Sequence, residues 1–526
     1  LFNNGDWFGF IPAESYPETA RLLDFTPQGL PFAIRSPTSV LVLNAGTGLT
    51  AAQALNHRAT KVVAVEPHRA ALALLRHHYP QTTGTFFAGP QIQLATVEPR
   101  TWLAGDRHRY DLVLLPTLGA FGGTAGVFAL HEQYSLTREA FTSIWRHLTP
   151  DGILCLSAWM DYPPRTSLRL AATLVDLLNA EGITDPTSHL VAVRGWGTVS
   201  FCLKRSALNA DEITRIRRFC NDLGFDPLLL PGLRPEERDR FNQLPDQALF
   251  QQLDRIISGD HTLLYADYLF NIQPTDDNRP FFSQFLRWQT LPYLTELFGR
   301  RVLPAMELGT LVVLVTFVLT AAAAVVLILL PLLRLGWRGG RRSAVIGYFG
   351  GLGLGYMLVE IVLIHHCVLY LGHPVQAAAA VICALLLGSG IGSASSSRLP
   401  SRFFGPQRTS ALIALVLIPY PLLLKTLLGL TIPLEESWRM PLALLLLIPI
   451  GFIMGLPFPL GLGQLHRRQP EAVPWAWGIN GCLSVLGTSL ATLIAIQAGF
   501  HAVTIAAAGS YGCASLAGCR LFAKQT

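Results

Sequence analysis

After Met306 the chain carries seven long apolar runs, at about 308–333, 344–371, 375–394, 409–430, 440–463, 475–498 and 500–522. Each is near or above the roughly 20 residues that cross the hydrocarbon core of a bilayer. Inside lipid every backbone N–H and C=O must be bonded within its own segment, so runs of this kind fold as helices. The apolar excess is confined to them. Overall 51% of residues are hydrophobic and 14% charged, whereas residues 1–300 have an ordinary globular balance. The chain therefore reads as a globular domain over 1–300 followed by an all-α polytopic domain over 301–526, with the lipid bilayer as its first partner. The first residue is Leu1 rather than Met, which reads as a fragment or a processed chain.

Within the globular part, Val40–Glu66 has the strongest order. An aliphatic strand, Val40–Leu43, breaks into the small-residue turn Asn44–Gly48. A helix and a second strand, Val62–Val65, follow, and that strand ends in Glu66. Gly46 and Gly48 let the backbone turn sharply and let a ligand approach without Cβ obstruction. An acid about 20 residues beyond such a turn is placed to accept hydrogen bonds from ribose hydroxyls. Further strands are expected at Ile92–Thr96, Tyr110–Leu115, Ile153–Ser157 (after the turn Thr149–Gly152) and Val199–Leu203. Helices are expected at Ala70–His78, Glu139–Leu148, Leu168–Leu178, Asp211–Leu223 and Pro235–Ser258. Strands alternating with helices at this spacing predict an α/β doubly wound parallel sheet, Rossmann-like.

Several function classes fall away. The eight cysteines form no CxxC pair, which argues against a zinc site or a disulfide framework and leaves no metal expected. The net charge of +6 lies largely in loops between apolar segments, a pattern of membrane topology rather than of nucleic-acid binding.

The stretches LPFAIRSPTSVLVLNAGTG, KVVAVEPH, RYDLVLL, HEQYSLTREAF, LTPDGIL and PTDDNRPFF resemble spermidine-synthase-like proteins. These are relatives of S-adenosylmethionine-dependent methyltransferases, here in the form fused to a membrane domain. GYMLVEIVLIHHCVLYLGHPVQAAAAVICALLLGSGIGS and the stretch PIGFIMGLPFPLGLGQLHRR onward resemble the membrane module of the same fused family. The resemblance implies S-adenosylmethionine or its decarboxylated form as donor. It implies that the turn Asn44, Gly46, Gly48 cradles the methionine part, that Glu66 holds the ribose, and that Glu98 lies near adenine.

Two departures bear on the chemistry. Asn44 stands where the family's turn has glycine, implying a narrower or differently hydrogen-bonded floor. Pro116 and Gly119 stand where aminopropyltransferases carry the aspartates that bind and deprotonate the attacking amine. An amine is unreactive while protonated, so a base is needed; His131, Glu132 and Tyr134, after the loop Gly119–Gly126, are the candidates. Asp276 and Asp277 are expected to cap a turn and pair with Arg279.

In the membrane part, Glu360 lies near the middle of the second run. A carboxylate at bilayer depth is costly unless paired, protonated or facing a cavity, so it is a functional candidate. Runs of small residues, Gly347–Gly355 and Gly388–Gly392, should let helices approach closely, and Pro457 and Pro459 should kink or end a helix. Arginines flank the runs unevenly: Arg334, Arg338, Arg341 and Arg342, then Arg398, Arg402 and Arg408, then Arg467 and Arg468 fall in alternate loops. By the positive-inside rule these loops face the cytoplasm of a bacterial cell, and parity places residues 1–307 outside. Two functions are carried forward. One is a membrane-bound transferase moving an aminopropyl or methyl group from an S-adenosyl donor to a small acceptor such as an amine. The other is a transporter or membrane assembly factor with a non-catalytic nucleotide-fold domain.

Overall fold

The structure is a computed structural model. It describes residues 2–3, 6–11, 16–118, 127–259, 261–298, 308–335, 341–400, 404–432, 434 and 436–523. The chain divides into two compact units, Leu1–Leu308 and Gly309–Thr526.

In the first unit the elements run β1 (Ser39–Leu43), α1 (Leu49–Asn56), β2 (Lys61–Val65), α2 (Arg69–His78), β3 (Ile92–Ala95), α3 (Pro99–Gly105) and β4 (Tyr110–Leu118). Then come α4 (Arg138–Arg146), β5 (Leu148–Trp159), α5 (Thr166–Ala180), β6 (Leu190–Arg194), β7 (Thr198–Lys204), α6 (Ala210–Leu223) and β8 (Asp226–Leu229). The strands form one sheet in the order β8-β6-β7-β5-β4-β1-β2-β3. Strands β1 to β5 are parallel, in the register Val40↔Val62, Val40↔Leu112 and Val62↔Ile92. Alternate side chains serve two cores. Leu41, Leu43, Val63, Val65, Val113 and Leu115 join one buried cluster, while Val40, Val42, Val62, Ala64, Leu112 and Leu114 join the other. Both faces are thus covered, as continuous aliphatic strands require.

The sheet is mixed rather than wholly parallel. Strand β7 runs antiparallel to β5, with Cys155 opposite Cys202, and β6 and β8 complete an antiparallel edge. The short runs LVAVR and DPLL were not among the expected strands. Residues Thr149–Gly152 belong to β5, but the pairing jumps from Tyr110↔Leu148 to Leu112↔Ile153, so they bulge out of register where a turn was expected. The single helix expected at Pro235–Ser258 is a 3₁₀ turn, Pro235–Glu237, and a helix, Ala248–Ile257.

The second unit is helical: α7 (Gly309–Arg334), α8 (Arg342–Leu371), α9 (Pro374–Ser395), α10 (Pro406–Leu417), α11 (Tyr420–Thr431), α12 (Glu436–Met454), α13 (Pro457–Arg468) and α14 (Val473–Phe522). Among the described residues five helices are long and apolar enough to cross a membrane, or six if the pair α10–α11, bent by 53°, counts as one span. The difference from seven lies at two places. The 409–430 run is broken between Leu417 and Tyr420, and the last two runs join in one helical stretch interrupted at Gly499 (φ 82°, ψ 170°). Both limbs of α14 lie along α8. An added Cβ on Gly351 would stand 2.6 Å from the Ser510 carbonyl, and one on Gly487 2.9 Å from Met357. Gly499 therefore reverses the chain into a hairpin. Helix α12 ends at Met454 and α13 restarts at Pro457, as the prolines require.

Arginines gather at one end of this bundle. The Arg341 guanidinium donates to the Arg520 carbonyl (2.6 Å) and that of Arg468 to the Ala523 carbonyl (2.9 Å). Ser515 donates to the Gln407 carbonyl (2.9 Å). The starts of α8 and α10 and the ends of α13 and α14 therefore share one end, where cations satisfy the last carbonyls of a helix.

Candidate functional site

At the carboxyl edge of the parallel strands, the turn after β1 takes left-handed backbone at Asn44 (φ 56°), Gly46 (φ 56°) and Gly48 (φ 95°). Asparagine is the side chain that best tolerates that region, so Asn44 preserves the backbone path a glycine would take. The turn is held from behind by Ala45 N–H to the Val65 carbonyl (3.0 Å) and Gly48 N–H to the Ala45 carbonyl (2.9 Å).

Glu66, at the end of β2, is 2% exposed. One of its oxygens accepts from Gly46 N–H (2.7 Å) and the other from His68 N–H (3.0 Å). Burial lifts its pKa in spite of these donors. Glu98 stands at the N-cap position of α3 without a side-chain capping bond and is half-buried. Burial and then the charge of Glu66 raise it to about 7. The two acids expected to face a donor thus lie within electrostatic reach of each other and of the glycine turn.

The candidate bases extend the same cluster. Tyr134 is 8% exposed and donates to Glu132 Oε2 at 2.5 Å. Glu132 is exposed at the surface, and protein atoms around its carboxyl raise its pKa. Burial holds the Tyr134 hydroxyl well above its usual range, reinforced by Glu132, Asp277 and Glu98. His131 is exposed and precedes the 3₁₀ turn Tyr134–Leu136; it does not sit on a helix, which begins at Arg138. Pro116 is half-buried in β4, and Gly119 and the loop Gly119–Gly126 lie outside the described residues.

The segment around Asp276 closes the site. Asp276 caps its turn by accepting from Arg279 N–H (2.8 Å), as expected. Asp277 does not pair with Arg279: it binds Arg100 (2.9 Å) and accepts from the Thr137 hydroxyl (2.8 Å), while its N–H donates to Glu139 (2.9 Å). Arg100 and Asp277 are 177 residues apart, and no local pattern marks such a pair. Glu66 bonds the glycine turn directly, Glu98 feels the charge of Glu66, and Glu98, Glu132 and Asp277 all bear on Tyr134; Arg100 answers the charge of Asp277, which leaves Glu98 and Glu132 as the carboxylates able to take a proton.

The N-terminal segment lies on the glycine turn. An added Cβ on Gly46 would stand 2.8 Å from the Phe8 carbonyl, and one on Gly9 2.7 Å from Thr47 Oγ1. The Phe8 ring meets His68 edge-on (5.8 Å). Tyr16 donates to the Thr47 carbonyl (2.8 Å) and stacks on Phe86 (4.3 Å).

In the membrane unit Glu360 is half-buried on α8. His365, a turn and a half further on, is buried and stacks on Phe500 beside the Gly499 reversal (3.7 Å between centroids).

No family model matches the chain, and no curated protein matches it. Solved structures do. It is similar to a spermidine synthase from Thermotoga maritima (14% identity, 47% of this chain and 76% of that one, TM-score 0.30). It is also similar to a putative methylase from Haemophilus influenzae (16%, 36% and 97%, TM-score 0.23). A third is an amino pentose methyltransferase from Micromonospora echinaspora with S-adenosylmethionine bound (22%, 29% and 54%, TM-score 0.20). The fold class is a Rossmann-like α/β domain built on a mixed eight-stranded sheet, followed by an all-α region in which, among the described residues, five or six helices are long and apolar enough to cross a membrane.

Proposed function

We propose that the chain is a membrane-bound transferase that binds S-adenosylmethionine or its decarboxylated form at the β1–β2 edge and passes a methyl or aminopropyl group to a small amine-bearing acceptor. The observation that supports this reading is the left-handed turn Asn44–Gly48 with the Glu66 carboxylate bonded to it and Glu98 within reach of the charge of Glu66. In this reading the backbone at Gly46 and Gly48 cradles the donor's amino-acid part, Glu66 takes the ribose and Glu98 the base. The donor supplies an electrophilic carbon next to a sulfonium. The acidic wall holds the acceptor as a cation, and Glu132, oriented by the Tyr134 hydroxyl, removes the proton that frees its lone pair. That role falls to Glu132 because Pro116 offers no base at the end of β4.

A second reading is favoured by the covering of the turn: Phe8 and Gly9 lie against Gly46 and Thr47, and Glu66 already accepts two backbone N–H groups. Here the domain is a non-catalytic module of a transporter or assembly factor. Calorimetry separates the two. The transferase reading expects saturable binding of one donor form, lost in Glu66→Ala. Absence of binding to both forms, in a chain that melts cooperatively, leaves the second reading.

A further inference from the structure

We infer that the membrane unit holds one acyl chain of an anionic phospholipid in a groove between α9, α10 and α12, with the headgroup at the arginine-rich end. The groove has a volume of about 520 Å³, within the roughly 300–1,000 Å³ of small-molecule sites. Its wall is carbon: Gly388 and Ile391 from α9, Leu412 from α10, and Ile448, Phe452 and Leu456 from α12 and its end, with Phe404 at the loop side. Gly388 lets α9 and α12 meet backbone to backbone and so closes the floor of the groove, since an added Cβ would stand 2.6 Å from the Ile448 carbonyl. Ile391 and Leu412 are both exposed, so the groove opens sideways to the bilayer rather than into the bundle.

Depth and charge identify the occupant. Ile391 lies one turn before the end of α9 at Ser395, and Leu412 under two turns after the start of α10 at Pro406. At about 1.5 Å per residue the groove lies within roughly 10 Å of the loop, inside one leaflet of a hydrocarbon core about 30 Å thick. A chain from that leaflet enters tail-first, its headgroup level with the loop. Arg408 precedes Leu412 by one helical turn and so shares its face; Arg398 follows α9, and both are exposed. Arg341 and Arg468 mark the same end of the bundle through their contacts with the end of α14. An apolar slot below a basic rim fits an acyl chain on an anionic headgroup, since each arginine near the surface favours anionic lipid.

The test is native mass spectrometry of the full chain released from vesicles of dioleoyl-phosphatidylglycerol or dioleoyl-phosphatidylcholine. One retained lipid per chain is expected, with phosphatidylglycerol preferred. Arg408→Gln should cut that preference about fivefold while leaving phosphatidylcholine retention unchanged. Leu412→Trp, which fills the slot from its exposed side, should abolish retention of both; Ile391→Trp replaces it should Leu412→Trp fail to fold. Val326→Trp, exposed on α7 outside the groove, should change nothing. Retention unaffected by either slot-filling variant, or lowered equally by Val326→Trp, would overturn the assignment in favour of general annular lipid.

Discussion

Glu98 links protonation to folding and to ligand binding in opposite senses. Its carboxyl stands at about 7 in the folded chain against an ordinary 4.5, so between those values the folded state holds a proton that the unfolded state has released. Its contribution therefore favours folding below about pH 4.5 and is lost as pH rises through about 7. Glu98→Gln should melt above the parent at pH 8, with the margin closing by pH 5; a margin independent of pH would refute the linkage. A sulfonium donor reverses the preference, because it stabilises the ionised acid, so donor affinity should rise from pH 6 to pH 8. Titration calorimetry at the two pH values reads this directly. Glu66 was marked in the sequence because it closes a short aliphatic strand, whereas Glu98, beyond the end of β3 at Ala95, was marked only by the family resemblance. Asp277's partnership with Arg100 was not marked, since it joins residues far apart in the chain, and neighbouring Arg279 offered a closer partner.

At the scale of elements, local chemistry accounts for the edges that were foreseen. Helix α6 starts on a capping box, Asn209 and Glu212 each accepting from the other's backbone N–H (2.9 and 3.0 Å), and Glu212 also meets buried Lys204 at 3.0 Å. Asn209→Ala should cost about 1 kcal/mol of stability, read by chemical denaturation of the chain. Strands β6 and β8 escaped notice because they are short, five and four residues, and β6 runs straight into β7 with no helix between them. The reversal in α14 is a second such feature. Gly499 sits in left-handed backbone (φ 82°) inside an apolar run, so Gly499→Val should lower the melting temperature in detergent by several degrees, a β-branched residue there costing about 1–3 kcal/mol. From sequence the glycine was only a boundary between two runs; that the runs fold back side by side follows from their shared partner α8.

For the whole molecule, the clustering of the starts of α8 and α10 with the ends of α13 and α14 agrees with the alternation of arginines along the chain. If the positive-inside rule governs insertion, that end is cytoplasmic and residues 1–307 are on the far side. A Glu236→Cys variant, its site exposed, should then label with an impermeant maleimide in intact cells; labelling only after lysis would place the domain inside. The membrane architecture was legible because hydrocarbon leaves a long apolar run few alternatives. The site was legible only in part: its glycine turn and first acids are consecutive in the chain, while the N-terminal cover and the Asp277 wall arrive from elsewhere.

Helix α8 also waits for its neighbour. The Asn480 amide donates to the Phe349 carbonyl across 131 residues, and the glycine face from Gly347 to Gly355 has its principal contacts with the two limbs of α14. A ribosome must therefore synthesise the chain through the second limb of α14 before that face is covered. Products ending near residue 472 will reach the membrane with a smooth, unfilled helix flank, a ready substrate for quality-control proteolysis.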